Sequence, residues 1–87
     1  MTVTELIHEK LAVLDPESIS VEDESAQHAG HAGAAGGGGH YRLTLVCSRF
    51  AGQPLQARHR LVYQALGPLM RNEIHALAIQ AYAPDEI

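Results

Sequence analysis

Apolar residues recur with a helical period at the start of the chain. They are spaced three or four positions apart, at Val3, Ile7, Leu11 and Leu14. This spacing is typical of the buried side of an amphipathic helix. Thr2 followed by Glu5 has the form of a capping box, and Asp15-Pro16 is a stop signal. The pattern predicts a first helix over residues 3–14.

Two further stretches show the period-two alternation that is typical of strands. Ile19 and Val21 alternate with polar neighbours, which predicts a short first strand whose acidic end, Glu22-Asp23-Glu24, leads out of the core. The second stretch is longer, and its apolar positions are Tyr41, Leu43, Leu45 and Cys47. We expect the two strands to pair in antiparallel fashion across the segment that separates them.

A second helix is predicted over residues 55–70. The apolar positions along one side of it are Leu55, Val62, Leu66 and Leu69. The polar positions left available for solvent are Arg58, Arg60 and Gln64. Because proline lacks the N–H that a helix needs, Gly67-Pro68 predicts a kink or a short restart before Met70. The alternating residues of a third strand follow, at Leu77, Ile79 and Ala81.

The resulting order of elements is α-β-β-α-β. The last β-α-β unit predicts a right-handed crossover between strands that lie parallel in one sheet. The sequence therefore predicts an α+β fold in which two helices cover one face of a three-stranded mixed sheet. A chain of 87 residues has room for one small core, so we expect a single domain over residues 1–87.

The segment between the first two strands, residues 25–40, has an unusual composition. It holds six of the chain's eight glycines and three of its six histidines, His28, His31 and His40. Ordering it costs about 1–2 kcal/mol of backbone entropy per residue, and few of its side chains could pack to offset that cost. The segment is therefore predicted to be a flexible loop.

The charge distribution bears on whether the protein binds nucleic acid. The net charge of −4 argues against a dedicated nucleic-acid-binding protein, since such domains usually carry a basic surplus. All five arginines lie after residue 41, however, whereas residues 1–41 hold seven acidic groups and one lysine. The sequence therefore leaves room for a local basic face.

Cysteine usage and hydropathy bear on location. The single cysteine, Cys47, excludes an internal disulfide and is expected to be a buried hydrophobic residue rather than a reactive thiolate. No apolar stretch approaches the roughly 20 residues that a membrane-spanning helix needs, and residues 1–10 do not resemble a secretion signal. We expect a cytoplasmic protein, and a mitochondrial or plastid location stays open if a transit peptide has been removed.

Histidine is over-represented, and neutral imidazole is a ligand for Zn, Cu and Fe. His28 and His31 do not match a structural zinc site, which would add cysteines at fixed distances, so mononuclear zinc binding by the loop is a weak hypothesis. His75 stands where the second helix gives way to the third strand. A loop histidine that swings over this edge could form a metal site with His75. The alternative is that His75 only hydrogen-bonds a backbone carbonyl.

A basic triplet, Arg58-His59-Arg60, opens the second helix after a turn at Gly52. A helix start flanked by arginines can bind a phosphate or a carboxylate through its N–H groups and its charge. The alternative is a solvated helix face with His59 or Arg58 partly packed on the sheet. The pattern alone leaves both interpretations open.

Several of these segments together resemble the signature of the BolA family. They are Phe50-Ala51-Gly52, Arg58-His59-Arg60-Leu61-Val62-Tyr63 and Ile74-His75-Ala76-Leu77, with Asp23-Glu24-Ser25 and the Ala-Gly-His stretch as further points of likeness. The likeness runs from about residue 3 to residue 84. It implies a fold similar to the class II KH arrangement, which agrees with the predicted order of elements.

The resemblance also implies a function. BolA-like proteins form heterodimers with monothiol glutaredoxins, and some pairs share a [2Fe–2S] cluster that is also ligated by a glutaredoxin cysteine and by glutathione. The BolA-like partner supplies the histidine of its His-Ala-Leu motif, here His75, and a second His or Cys from the loop. Because this loop has no cysteine, the chain resembles the His-type branch. Its candidates for the second ligand are His28, His31 and His40.

The leading hypothesis is thus a non-enzymatic adaptor that holds a cluster only in complex, with no cofactor expected in the free protein. Its partner surface would include the basic triplet and the edge of the third strand. The alternative is a DNA-binding transcriptional regulator that uses the turn at Gly52 and the arginines of the triplet. Many relatives carry Thr-His-Phe where this chain has Gly39-His40-Tyr41, which raises the question of what anchors His40.

Overall fold

The computed structural model describes residues 1–25 and 39–87. It contains two α-helices and three strands in the predicted order. Their bounds are α1 Val3–Leu11, β1 Ser18–Asp23, β2 Gly39–Val46, α2 Leu55–Leu66 and β3 Ile74–Tyr82. The glycine-rich segment is predicted to be a flexible loop over residues 25–40, and its residues 26–38 lie outside the described residues. Its last two residues, Gly39 and His40, belong to β2 instead.

Helix α1 begins with the capping box that the sequence predicts. The Glu5 N–H donates to the Thr2 side-chain oxygen at 3.1 Å, and the Thr2 N–H donates to the Glu5 carboxylate at 2.9 Å. The helix tightens at its end into a 3-10 turn over Ala12–Leu14, which Asp15 closes in a left-handed conformation with φ 52°. The predicted helix of residues 3–14 is therefore an α-helix with a 3-10 last turn.

The three strands form one mixed sheet with the order β1-β2-β3. Strand β1 pairs antiparallel with β2, from Ser18 opposite Val46 to Asp23 opposite Tyr41. Strand β3 pairs parallel with β2, so β2 is the central strand. The α+β fold class predicted from the sequence is confirmed.

The core lies between the sheet and the two helices. Alternate residues of β2, namely Tyr41, Leu43 and Leu45, are buried on the side that the helices cover. The helices contribute Ile7 and Leu11 of α1 together with Val62 and Leu66 of α2. On the opposite face, Arg42, Ala76, Ala78 and Gln80 are exposed. One face of the sheet is therefore covered and the other carries exposed side chains.

The predicted break at Gly67-Pro68 is confirmed. Helix α2 ends at Leu66, and a 3-10 turn over Gly67–Met70 continues the chain. Gly67 has φ 54°, a left-handed conformation that glycine adopts without a steric penalty. The turn buries Leu69 against the core.

Arg58 does not lie at the surface, so the prediction that it is available for solvent is wrong. Only 8% of the residue is exposed. Its guanidinium donates to the carbonyl oxygens of Gln53 and Ala81 at 2.8 and 3.0 Å. It also donates to both carboxylate oxygens of Glu86, at 2.6 and 2.7 Å. Arg58 is buried because these four acceptors replace its water.

The prediction that Cys47 is a buried hydrophobic residue is confirmed. Its side chain has no exposed surface, and its Sγ donates to the carbonyl oxygen of Leu14 at 3.1 Å. This contact joins the end of β2 to the last turn of α1. Among the described residues, no helix combines the length and the apolar character that crossing a membrane requires.

The ion pair between Arg58 and Glu86 predicts a pH-dependent contribution to stability. The hydrogen bonds from Arg58, with a smaller one from the Ala83 N–H, lower the pKa of Glu86 from 4.5 to about 2. The stabilising contribution is thus complete above pH 4.5 and disappears as the pH falls through 2. We expect Glu86→Gln to lower the melting temperature at pH 7, and this difference from the wild type to shrink between pH 4.5 and 2.

Thermal unfolding followed by far-ultraviolet circular dichroism across this pH range checks the expectation. Glu9→Gln is the matched control, because Glu9 is an exposed glutamate of α1. A difference in melting temperature between wild type and Glu86→Gln that stays constant from pH 7 to pH 2 would contradict the assignment.

Candidate functional site

Two histidines lie side by side where β2 and β3 begin. The ring centroids of His40 and His75 are 5.2 Å apart, and the ring planes are inclined at 46°. His75 is exposed and His40 is half-buried. Of the candidate metal ligands, these are the two that the structure brings together; His28 and His31 lie outside the described residues.

A β-bulge places His75 beside His40. Gly39 pairs with Ile74 and His40 pairs with Ala76, so His75 is an extra residue that has no partner in the β2 register. A bulge bends the strand locally and changes the direction of a side chain. In a regular strand, residues an odd number of positions apart lie on opposite faces of the sheet. The bulge explains why Leu77 and Ile79, three and five positions after Ile74, nevertheless contribute to the same core.

Main-chain hydrogen bonds fix the start of β2 on both sides. The Gly39 N–H donates to the Glu73 carbonyl oxygen at 2.9 Å. The Glu24 N–H donates to the His40 carbonyl oxygen at 2.7 Å. The His40 N–H donates to the side-chain oxygen of Ser25 at 3.1 Å. His40 is therefore anchored, although the residue before it is glycine.

Gly39 is constrained by close packing. A Cβ atom at this position would lie 2.6 Å from the Ser25 Oγ and 2.6 Å from the Tyr41 ring, both well inside van der Waals contact. Tyr41 folds back over Gly39 with only 6% of its surface exposed. Burial, with a smaller effect of the Asp23 charge, raises the pKa of the Tyr41 hydroxyl, so this group stays neutral at physiological pH.

An ion pair lies next to the histidines. The Arg42 Nε donates to the Glu24 carboxylate at 3.1 Å, and 45% of the Arg42 side chain is exposed. These residues and His40 border a shallow hollow of about 350 Å³, to which the described part of β3 contributes residues 76–78. Because the two charged residues of its lining are paired with each other, the hollow has no strong preference for anions or cations.

The two rings are spaced as two imidazoles on one metal ion would be. Two imidazoles bound to one tetrahedral metal at about 2.1 Å have ring centroids about 5 Å apart, close to the 5.2 Å between His40 and His75. Within residues 1–25 and 39–87, no group of three or more His, Cys, Asp or Glu side chains could hold a metal ion. The described part of the chain thus offers two neighbouring imidazoles.

The basic triplet does not present three side chains to one surface. Arg58 is turned toward β3 and Glu86, whereas Arg60 is exposed. His59 is half-buried and makes an edge-to-face contact with Tyr63, with ring centroids 6.5 Å apart. Gly52 lies in an exposed turn with φ 73°. Arg60, His59 and the Gly52 turn are the accessible parts of this candidate interface.

Sequence reasoning missed three features of the site, and two of them left signals. Asp23 followed two positions later by Ser25 is typical of a turn closed by a side chain, and the Ser25 N–H does donate to the Asp23 carboxylate at 2.9 Å. The bulge at His75 is visible as a break in the alternation between Ile74 and Leu77. The partnership of Arg58 with Glu86 left no signal before the fold was known.

Comparison with known proteins adds the family. A sequence profile described as BolA-like protein matches residues 11–86. The "SufE-like protein 1, chloroplastic/mitochondrial" of Arabidopsis thaliana is 44% identical in an alignment that covers 93% of this chain and 24% of that protein. The "DNA-binding transcriptional regulator BolA" of Escherichia coli K12 is 37% identical over 87 residues, with coverage of 99% and 80%.

A solved structure supports the same assignment. The BolA domain of SufE1 from Arabidopsis thaliana superimposes with a TM-score of 0.86 at 40% identity, covering 100% of this chain and 98% of that one. The chain therefore corresponds to about a quarter of the length of the plant SufE-like relative and to most of the bacterial relative.

The packing around Gly39 predicts that added bulk is destabilising. Gly39→Ala should lower the free energy of unfolding by about 1–3 kcal/mol, because the new methyl group displaces Ser25 or Tyr41. Part of that cost should disappear in a Ser25→Ala background, where one of the two obstructing groups is gone. Urea unfolding of the wild type, both single variants and the double variant measures this coupling. Equal costs of Gly39→Ala in the two backgrounds would contradict the packing described here.

Proposed function

Because this chain belongs to the BolA family, we propose that it is a non-enzymatic partner of monothiol glutaredoxins. In this proposal the two proteins form a heterodimer that can share a [2Fe–2S] cluster, in cluster trafficking or in iron and redox regulation. The observation that carries the proposal is the pair formed by His40 and His75, with ring centroids 5.2 Å apart and His75 exposed.

The chemistry of the pair suits a shared site. Neutral imidazoles on one iron, in place of thiolates, raise the reduction potential of a [2Fe–2S] cluster, as in Rieske centres. This chain would contribute the two imidazoles. The partner would contribute its cysteine and the thiolate of bound glutathione. An exposed His75 at the end of a strand is accessible to such a partner.

Among the loop histidines, His40 is the second ligand that the geometry favours. It belongs to β2, its main chain is hydrogen-bonded to Glu24 and Ser25, and its ring lies against that of His75. A ligand that is already held in place loses little conformational entropy when it binds. His28 and His31 stay as alternative predictions, since they lie outside the described residues.

Two further observations bear on the non-enzymatic role and on the compartment. Cys47 is fully buried and donates to the Leu14 carbonyl, so it is not placed to act as a nucleophile. A co-ligand such as glutathione requires a reducing compartment. We propose the cytoplasm, or else a mitochondrion or plastid, the location named for the plant SufE-like relative.

The test is a titration of a glutathione-ligated [2Fe–2S] monothiol glutaredoxin with this protein, followed by visible circular dichroism. The wild type should change the spectrum and saturate near one equivalent, whereas His75→Ala and His40→Ala should not reproduce that spectrum. His8→Ala is the matched control, because His8 is an exposed histidine of α1, and it should behave as the wild type. No spectral change with the wild type would overturn the shared-cluster proposal.

DNA binding is the second candidate function, and the similarity to the Escherichia coli protein named as a DNA-binding transcriptional regulator favours it. The exposed Arg60 next to the Gly52 turn is the element of this chain that could contact a phosphate. Two features weigh against this function. The net charge is −4, and the guanidinium of Arg58 is already bound to Glu86.

We expect DNA affinity to stay in the non-specific range, with a dissociation constant of about 10⁻⁴–10⁻⁶ M at physiological salt. Fluorescence anisotropy with duplex DNA over a salt series measures it, comparing the wild type with Arg60→Ala, His75→Ala and the exposed control Arg71→Ala. A much tighter, sequence-dependent affinity that is lost with Arg60→Ala but not with His75→Ala would instead favour the DNA-binding function.

A further inference from the structure

The short turn that follows β1 holds the beginning of β2. We infer that Ser25 is a positioning residue that holds His40 beside His75. The effect on a shared cluster rests on the function proposed above, whereas the effect on the geometry of the two histidines does not.

The main chain of His40 needs a partner on the β1 side. Its carbonyl oxygen accepts from the Glu24 N–H at 2.7 Å, so the main-chain groups of His40 point toward β1 and away from β3. The last residue pair of the β1–β2 ladder joins Asp23 and Tyr41. Since β1 ends there, its regular ladder offers no carbonyl oxygen to the His40 N–H. The Ser25 side-chain oxygen accepts that hydrogen bond instead, at 3.1 Å.

The position of Ser25 is itself fixed by a hydrogen bond to Asp23. The Ser25 N–H donates to the Asp23 carboxylate at 2.9 Å. Hydrogen bonds from the hydroxyl and from the N–H of Ser25 hold the pKa of Asp23 below its usual range. A hydroxyl has one proton to donate and two lone pairs to accept with. One of these lone pairs accepts the hydrogen bond from the His40 N–H.

Packing makes this position intolerant of displacement. The Ser25 Oγ lies 2.6 Å from the point that a Cβ of residue 39 would occupy, and Tyr41 closes the other side of the same space. Gly39 therefore lets the serine approach the strand closely. The residue types at positions 25, 39 and 41 fit one another, and together they set where the backbone of His40 lies relative to His75.

The closing experiment measures the geometry in the free protein first. Nuclear Overhauser contacts between the imidazole protons of His40 and His75 are compared in the wild type, Ser25→Ala and Ser25→Thr. Ser20→Ala is the matched control, because Ser20 is an exposed serine of β1. In Ser25→Ala, an increase of about 1 Å in the distance between the two rings should lower the intensity of these nuclear Overhauser contacts about threefold. Ser25→Thr keeps the hydroxyl and should restore them.

The second readout is the circular dichroism titration with the glutaredoxin cluster. Loss of a group that orients a ligand typically weakens metal affinity about 10- to 100-fold. The concentration of Ser25→Ala that gives half of the spectral change should therefore be about tenfold higher than that of the wild type, and Ser25→Thr should restore the wild-type value. If the wild type forms no shared cluster, the proposed function fails and the nuclear Overhauser contacts alone decide the inference. Unchanged contacts in Ser25→Ala would overturn it, as would the same loss in Ser20→Ala.

Discussion

The central strand β2 is the element on which both the fold and the candidate site depend. Its core-facing side chains, Tyr41, Leu43 and Leu45, are buried under the two helices, and each such burial contributes about 1.5–3 kcal/mol. Its two edges bond to β1 and β3. A shift of β2 by one residue would move this apolar set to the exposed face. The register that stabilises the core therefore also fixes the position of His40.

The candidate site lies at the beginning of β2, where the pairing with both neighbouring strands departs from the regular pattern. The sheet could continue without the extra residue in β3, but then Ile74 would not face the core together with Leu77. The bulge resolves this conflict and leaves His75 at the surface beside His40. In the same way, Ser25 supplies a hydrogen bond after the β1–β2 ladder has ended. Local departures from ideal pairing thus concentrate where the two imidazoles meet.

Much of the fold was predictable because it follows from periodicity. His75 was a candidate ligand because it stood at the end of an element. What sequence reasoning missed depends on distance in space. Arg58 looked exposed beside its charged neighbours, yet Glu86, far along the chain, provides the carboxylate that allows its burial. The role of Ser25 could not be predicted either, since it depends on where β1 stops relative to His40.

Under the proposed function, this chain supplies only two of the ligands that a metal site needs, and this small number affects which metal species can bind. A histidine-rich protein with three or four convergent ligands would bind copper or zinc, because these metals lead the affinity series for nitrogen donors. His40 and His75 leave the remaining coordination positions to other molecules. Tight binding then requires a partner that brings thiolates. A set of two thiolates and two imidazoles accepts Zn²⁺ as well as an iron–sulfur cluster. The partner, rather than this chain alone, would therefore determine which metal species occupies the site.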